Sequence, residues 1–375
     1  MSSLYLQSGW GHHTRAPQLR NLGVNCSGVI LSPQHISAER LAEAAGGFAD
    51  VLVDPQAYVQ SIPDGEATRH EEHGLTADLS YTSSAREIGD FVDQVFAVQQ
   101  AARATRFVAP AMLAAGFRDE WSQLGHTLLA SMIDLVDPGR VLAAVTVEAA
   151  AFASWDDVEI WMDLFSRRDV AGIYLIVEGT SQYPPLWDAA QLANVLRFIY
   201  RMSVVNQYEV IWGYSDLAGV FGLAAGATAM ASGWHYSARR FTRGSWTPSS
   251  GGRQPRPRVL IPTLLHPIDA ASVSERWRDA GVLEGLPAAA QQLLIEGEFD
   301  RTDSWTQHLS ALSTIANNLG DLPLLDRVGE ATIMLERAME AVGSLDDQGI
   351  AIEPGVSARL GEFQGAMDRF IRDEL

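Results

Sequence analysis

The sequence contains no lysine, so all 27 basic residues are arginine in a 375-residue chain of formal net charge -19. Without an ε-amine the chain cannot form a Schiff base, attach pyridoxal phosphate or use a phosphate-loop lysine. Arginine can still grip phosphate or carboxylate through paired hydrogen bonds, but it stays protonated and cannot act as a general base. Cysteine is almost absent. The single Cys26 forbids an intramolecular disulfide and a multi-cysteine zinc site, and its setting, VNCSGVIL, reads as an inert thiol approaching a buried strand. Long apolar runs are also missing. The most apolar stretch, 219–234, is shorter than a membrane span and rich in Gly and Ala. The start, MSSLYLQSGWGHH, lacks the positive segment and apolar run of a secretory signal. A cytoplasmic protein without membrane contact is expected.

One further absence is local. From Leu217 to Ile268 there is no acidic residue, while six arginines (Arg239, Arg240, Arg243, Arg253, Arg256, Arg258) crowd its second half. Setting those six charges aside leaves -25 on the rest of the chain, which would repel nucleic acid from most of the surface. Any polyanion must therefore dock locally, and a phosphate-bearing ligand is the simplest match to the segment. The stretch GRQPRPR could equally be a flexible linker.

A hydrophobic content of 47% with 19% charged residues fits a soluble globular chain. Short apolar, β-branched runs alternate with helical patterns, the signature of βα units around a parallel sheet. Eight such runs can be counted: LYLQSG, GVILSP, DVLVDP, RFVAPAM, VLAAVTVE, GIYLIVEG, YEVIWGY and TAMASGW. The spacing predicts an α/β fold, a (β/α)8 TIM-type barrel over residues 1–234, with an open doubly wound sheet as the alternative. An arginine-rich loop and connection (235–268) and a C-terminal α-helical extension (269–375) complete the expected organisation. About thirty residues, Gln56 to Ser84, separate the third strand from its helix. Long loops inside compact domains are often lids, and this one follows a strand's C-terminal end, so it is expected to cover the barrel mouth.

Residues ending barrel strands point into the site of such enzymes. Asp54 ends the third strand, Glu148 the fifth and Glu178 the sixth, and these three are the candidate catalytic residues. Crowding of Glu148 and Glu178 on adjacent strands would raise one pKa, as general acid–base work needs. Arg239, Arg240 and Arg243 are the candidate anion-binding residues. Gln56, Tyr58, Asp216, Ser232 and His235 are expected to line the pocket. Each carboxylate could instead cap a helix or form a salt bridge, and RHEEH (69–73) reads as a solvated loop, because its histidines are three rather than four apart. No cofactor is expected, although paired glutamates could hold a divalent cation.

The run IWGYSDLAGVFGLAAGATAMASGWHYSARRFTRG, with VLVDPQAY upstream, resembles the tRNA-guanine transglycosylase superfamily, barrel enzymes that exchange a modified guanine through an N-glycosidic bond. The order of strand, turn, helix, strand and arginine loop is similar over about Leu4 to Gly244. The resemblance implies that Asp54 lies near a base-binding site. Three departures stand beside it. The position matching the family's nucleophilic aspartate is Ala231, followed by Ser232; FVAPAM has no acid where the family reads the base; and the cysteine cluster for structural zinc is missing. Covalent exchange by the family's route is not expected. Three functions remain. The barrel binds or processes a nucleobase, nucleotide or nucleic acid at its C-terminal face; or it is a catalytically inactive scaffold whose acidic helical tail takes a protein partner; or it is a sugar-phosphate lyase or isomerase using Glu148, Glu178 and a divalent cation.

Overall fold

A computed structural model describes residues 3–76, 79–248 and 255–375. Arg253, with the first three residues of the GRQPRPR stretch (252–254), lies outside the described residues. Eight strands alternate with helices: β1 (Leu4–Gln7), α1 (His12–Asn21), β2 (Gly28–Leu31), α2 (Leu41–Ala44), β3 (Asp50–Val53), α3 (Ala85–Ala101), β4 (Phe107–Ala109), α4 (Glu120–Leu135), β5 (Val141–Glu148), α5 (Trp155–Phe165), β6 (Gly172–Glu178), α6 (Ala189–Tyr200), β7 (Glu209–Gly213), α7 (Ala218–Ala224) and β8 (Ala229–Ser232). The tail continues as β9 (Arg258–Ile261), β10 (His266–Asp269), α8 (Glu275–Asp279), α9 (Ala288–Glu296), α10 (Arg301–Gly320), α11 (Leu324–Asp347) and α12 (Val356–Glu374).

The barrel strands lie in the order β3-β2-β1-β8-β7-β6-β5-β4, and the neighbouring pairs are parallel. This is the cyclic order of a TIM-type barrel and not that of an open doubly wound sheet. The β3–β4 seam closes at its lower end, where the Thr105 amide donates to the Val51 carbonyl at 2.9 Å and the Val51 amide donates to Thr105 Oγ1 at 2.9 Å. Each strand is apolar on both faces because both are covered. One face, with Leu4, Val29, Val51 and Ile173, meets the helices. The other, with Tyr5, Ile30, Leu52, Val108, Leu142, Tyr174 and Ile211, fills the barrel.

The lower end is plugged by an ion cluster. Arg106 reaches Asp50 at the start of β3, Glu209 at the start of β7 and the hydroxyl of Tyr5. The second helical unit is shorter than SAERLAEAA implies. It winds one 3-10 turn and one α turn before Gly46 and Gly47, the latter at φ +84°, end it.

The tail opens with the antiparallel hairpin β9–β10, which the strand count did not include. Its helices lean on one side of the barrel, α12 along α6, α11 against α7, and α10 against β9 and α7. A capping box, in which Asp300 accepts from the Asp303 amide and Asp303 from that of Asp300, starts α10 where it meets the barrel rim.

Candidate functional site at the barrel mouth

Asp54 leaves β3 at the centre of the mouth and is fully enclosed. Its Oδ2 accepts hydrogen bonds from the hydroxyls of Tyr58 (2.9 Å), Tyr214 (3.2 Å) and Tyr174 (3.3 Å), and its Oδ1 accepts from the Gln56 amide (3.1 Å). Burial pushes its carboxyl up to about 6, with the tyrosine and amide donors offsetting part of that rise. Tyr174 on β6 pairs with Ile211, and its ring lies over Gly213, two residues further along β7. A Cβ there would sit 2.6 Å from the ring. Gln56 (φ 57°) and Tyr214 (φ 52°) hold left-handed backbone conformations that side chains of their size seldom adopt, so the cage is built on strained strand ends. Gln56 also donates through Nε2 to Ser32 Oγ at 2.6 Å.

The cage has an aromatic cover. Phe241 packs edge-on to Tyr58 with ring centroids 4.8 Å apart, and Trp246 does the same at 5.5 Å. Both come from the arginine segment, which crosses the mouth as a strap, while Tyr58, Val59 and Ile62 of the long loop fill the space beneath. The Glu66 amide donates to the Trp246 carbonyl at 2.7 Å and ties loop to strap. The long loop therefore covers the mouth as expected, jointly with the strap.

Glu148 and Glu178 stand side by side in register at the rim. Arg243 lies between them. Its Nη2 bonds Glu148, its Nε is 3.1 Å from Glu178 Oε2, and its amide donates to Glu178 Oε1 at 3.1 Å. The Glu178 carboxyl is raised above the usual range, chiefly by burial, with Arg243 acting against the rise and the charge of Glu148 adding to it. Arg243 thus occupies the position a divalent cation would take, and its guanidinium is spent on protein carboxylates rather than held out for a ligand. Among the described residues no group of three or more His, Cys, Asp or Glu is placed to hold a metal ion.

Asp216 (φ 44°) and Ser232 belong to a separate buried network behind β7 and β8. Asp216 Oδ1 accepts from Ser232 Oγ at 2.6 Å and from His308 Nε2 on α10 at 2.7 Å, and Oδ2 accepts from the Tyr183 hydroxyl at 3.2 Å. Serine and histidine both bond the carboxylate and not each other, so this is no nucleophilic triad, which needs histidine in the middle. Burial alone would raise the Asp216 carboxyl, but His308 and Arg239 outweigh it and hold it below the usual range. The network docks α10 onto the barrel.

Arg239 was expected to meet an anion at the surface. It is 1% exposed, and its Nε donates to the Gly233 carbonyl at 2.8 Å and its Nη1 to Tyr183 at 3.1 Å. A guanidinium this enclosed acts as a clamp between the end of β8 and the strap. Arg240 is half-buried against Tyr183, with Nε and Nη1 enclosed and unpartnered.

The open feature of the rim lies beside these groups. A cleft of about 450 Å³ runs between the loops after β1 and β8, the returning end of the strap and the start of α10. Arg15, Arg256 and Arg301 line it together with the enclosed Arg239 and with Trp10, Trp234, His235, Tyr236 and Trp305, and among the described residues no carboxylate lines it. The Trp10 carbonyl is fixed by Trp234 Nε1 at 2.8 Å, while the Trp10 side stands outward at 68% exposure. Arg15 lies over the Trp305 ring at 5.4 Å, and Arg256 makes an exposed ion pair with Asp269 at 3.2 Å. Burial, with Arg15 nearby, pushes His235 down to about 4, so it is neutral near pH 7. Its Nε2 is enclosed without a partner.

His235 is the one expected pocket residue that lines this cleft; Asp54, Gln56 and Tyr58 form the closed cage, and Asp216 and Ser232 the inter-element network. Trp10 stands after a strand end and could have been found by the rule that found Asp54. Arg301, Trp305 and His308 had no such signal, because tail docking alone brings them to the rim. No family model and no curated protein matches this chain. The likeness to tRNA-guanine transglycosylases therefore rests on the quoted residues, and the structure carries it as far as the barrel.

Proposed function

We propose that the protein binds a nucleotide or a short stretch of nucleic acid at the C-terminal face of its barrel, in the arginine–tryptophan cleft rather than on the barrel axis. The observation that carries this reading is the lining itself: four arginines, of which Arg239 is enclosed, and three tryptophans, with no carboxylate among the described residues that line it, in a chain of net charge -19. Guanidinium groups match phosphate oxygens, and indole faces stack on bases whatever their sequence. The surrounding acidic surface would confine a polyanion to this spot.

Quenching of tryptophan fluorescence by an eight-nucleotide single strand, and by a nucleoside triphosphate, tests the reading. Affinity is expected to fall with salt, with a log–log slope of about -0.7 per phosphate engaged on a strand. Trp10→Ala should weaken binding by about 1–3 kcal/mol, the usual worth of one stacked base. Arg15→Ala should weaken it and flatten the salt slope. Absence of any salt-sensitive binding would remove this reading.

The filled barrel mouth favours a second reading, a scaffold without chemistry on its axis. Glu148→Gln and Glu178→Gln separate the two on the question of catalysis. Both variants should leave ligand affinity unchanged, since Arg243 and not a ligand holds these carboxylates. Loss of a turnover activity in both would instead restore them to a reaction, with the strap as a cover that lifts.

A further inference from the structure

We infer that the helical tail carries a second, independent docking site, a groove between α10, α11 and the connection 262–285 that takes a basic amphipathic helix from a partner protein. The groove encloses about 610 Å³ and shares no lining residue with the arginine–tryptophan cleft. Its floor is apolar, with Ile315 and Leu319 from α10, Met334 and Ala341 from α11, and Val282 opposite. Of the six lining positions on α11, Glu330, Met334, Arg337, Ala341 and Ser344 follow in steps of four and three along one stripe of the helix, and Glu340 adjoins Ala341. At 1.5 Å per residue that stripe is about 21 Å long, the length of a four-turn helix. Met334 supplies a pliable surface of the kind that accepts varied apolar side chains.

Charge decides the occupant. Three of the four charged groups at the groove are acidic, Glu284, Glu330 and Glu340 against Arg337. Residues 269–375 hold 20 acidic and 8 basic residues, a net of -12 out of the chain's -19. An acidic peptide would be repelled, and a strand would leave its backbone groups unpaired against a groove walled by helices. A helix with one apolar face and arginine or lysine along its edges satisfies both the floor and the rim.

The test uses the full chain and a dye-labelled 16-residue peptide of leucine and lysine, with leucines at three- and four-residue spacing, against a scrambled peptide of the same composition. Anisotropy should show the patterned peptide binding at least about tenfold more tightly than the scrambled one. Met334→Glu adds a negative charge and removes the apolar floor, so general attraction to an acidic protein would leave binding unchanged or stronger. Docking in the groove predicts at least about a tenfold loss. Ala341→Trp, which fills the groove without changing charge, should give the same loss, and oligonucleotide binding at the other cleft should survive in both variants. Equal binding of the two peptides, or full retention in both variants, overturns the inference. So does a dimer of the chain that Ala341→Trp dissociates, since the occupant would then be a second copy.

Discussion

Acidification from pH 6.5 to about 4 is expected to unfold the protein cooperatively, because the fold holds several histidines neutral inside. Burial pushes His12 and His70 from 6.5 down to about 4 and His266 to about 3. A folded pKa below the unfolded one means that the stabilisation is complete above 6.5 and is lost as the pH falls, since the unfolded chain takes up protons that the fold refuses. At 1.36 kcal/mol per unit each of these three sites contributes about 3 kcal/mol or more, and together about 10, comparable with the whole stability of a domain. Asp54 works the other way. Its pKa is raised from 3.8 to about 6, so it weighs on the fold above pH 6, and that burden of about 3 kcal/mol is lifted as the pH falls towards 3.8. The balance still favours unfolding. Far-UV circular dichroism and tryptophan fluorescence against pH would show it, and a native spectrum retained at pH 4 would sink the idea. His70→Phe, at a ring whose Nε2 is enclosed and unpartnered, should move the midpoint to lower pH. Asp54→Asn should raise stability at pH 7 and leave it unchanged near pH 4.

Replacing Arg106 by Met is expected to cost about 3–5 kcal/mol, the largest loss for a single change at the lower end of the barrel. Its guanidinium is 15% exposed and serves Asp50, Glu209 and Tyr5 at once, so its removal strands two carboxylates in a half-enclosed site. Surface pairs such as Arg86 with Asp90 should cost less than about 1 kcal/mol by the same measure. Urea unfolding of the two variants, Arg106→Met and Arg86→Met, gives the comparison. A triple variant that also carries Asp50→Asn and Glu209→Gln should recover part of the loss, because the neutral amides leave no unpaired charge behind. Equal, small losses for Arg106 and Arg86 would mean that the cluster is solvated and does not hold the seam.

The barrel was legible because its strands are short apolar runs at regular intervals, and such runs are buried on both faces only in a parallel sheet under helices. Residues at the strand ends were legible too, since a strand fixes where its last side chain stands. Asp54, Glu148 and Glu178 are at the rim for that reason. Their roles were not legible. Glu148 and Glu178 look like an acid–base pair along the chain, yet Arg243, 65 residues beyond Glu178, lies between them. Arg239 and Arg240 look alike in sequence, yet one clamps two carbonyls and the other rests on Tyr183.

What the sequence determined by itself was chemistry that depends on composition and on local period: the exclusion of lysine and disulfide chemistry, the βα alternation, and a positive segment in an acidic chain. These need no knowledge of distant neighbours, because a missing functional group is missing in every fold and a helical or strand period is read over a few residues. The tertiary structure alone decided which polar groups are spent on one another and which face solvent. That outcome depends on contacts between residues far apart in the chain, such as His308 with Asp216 and Arg15 with Trp305. Burial then sets whether a charged group is a structural tie or a place for a ligand to land.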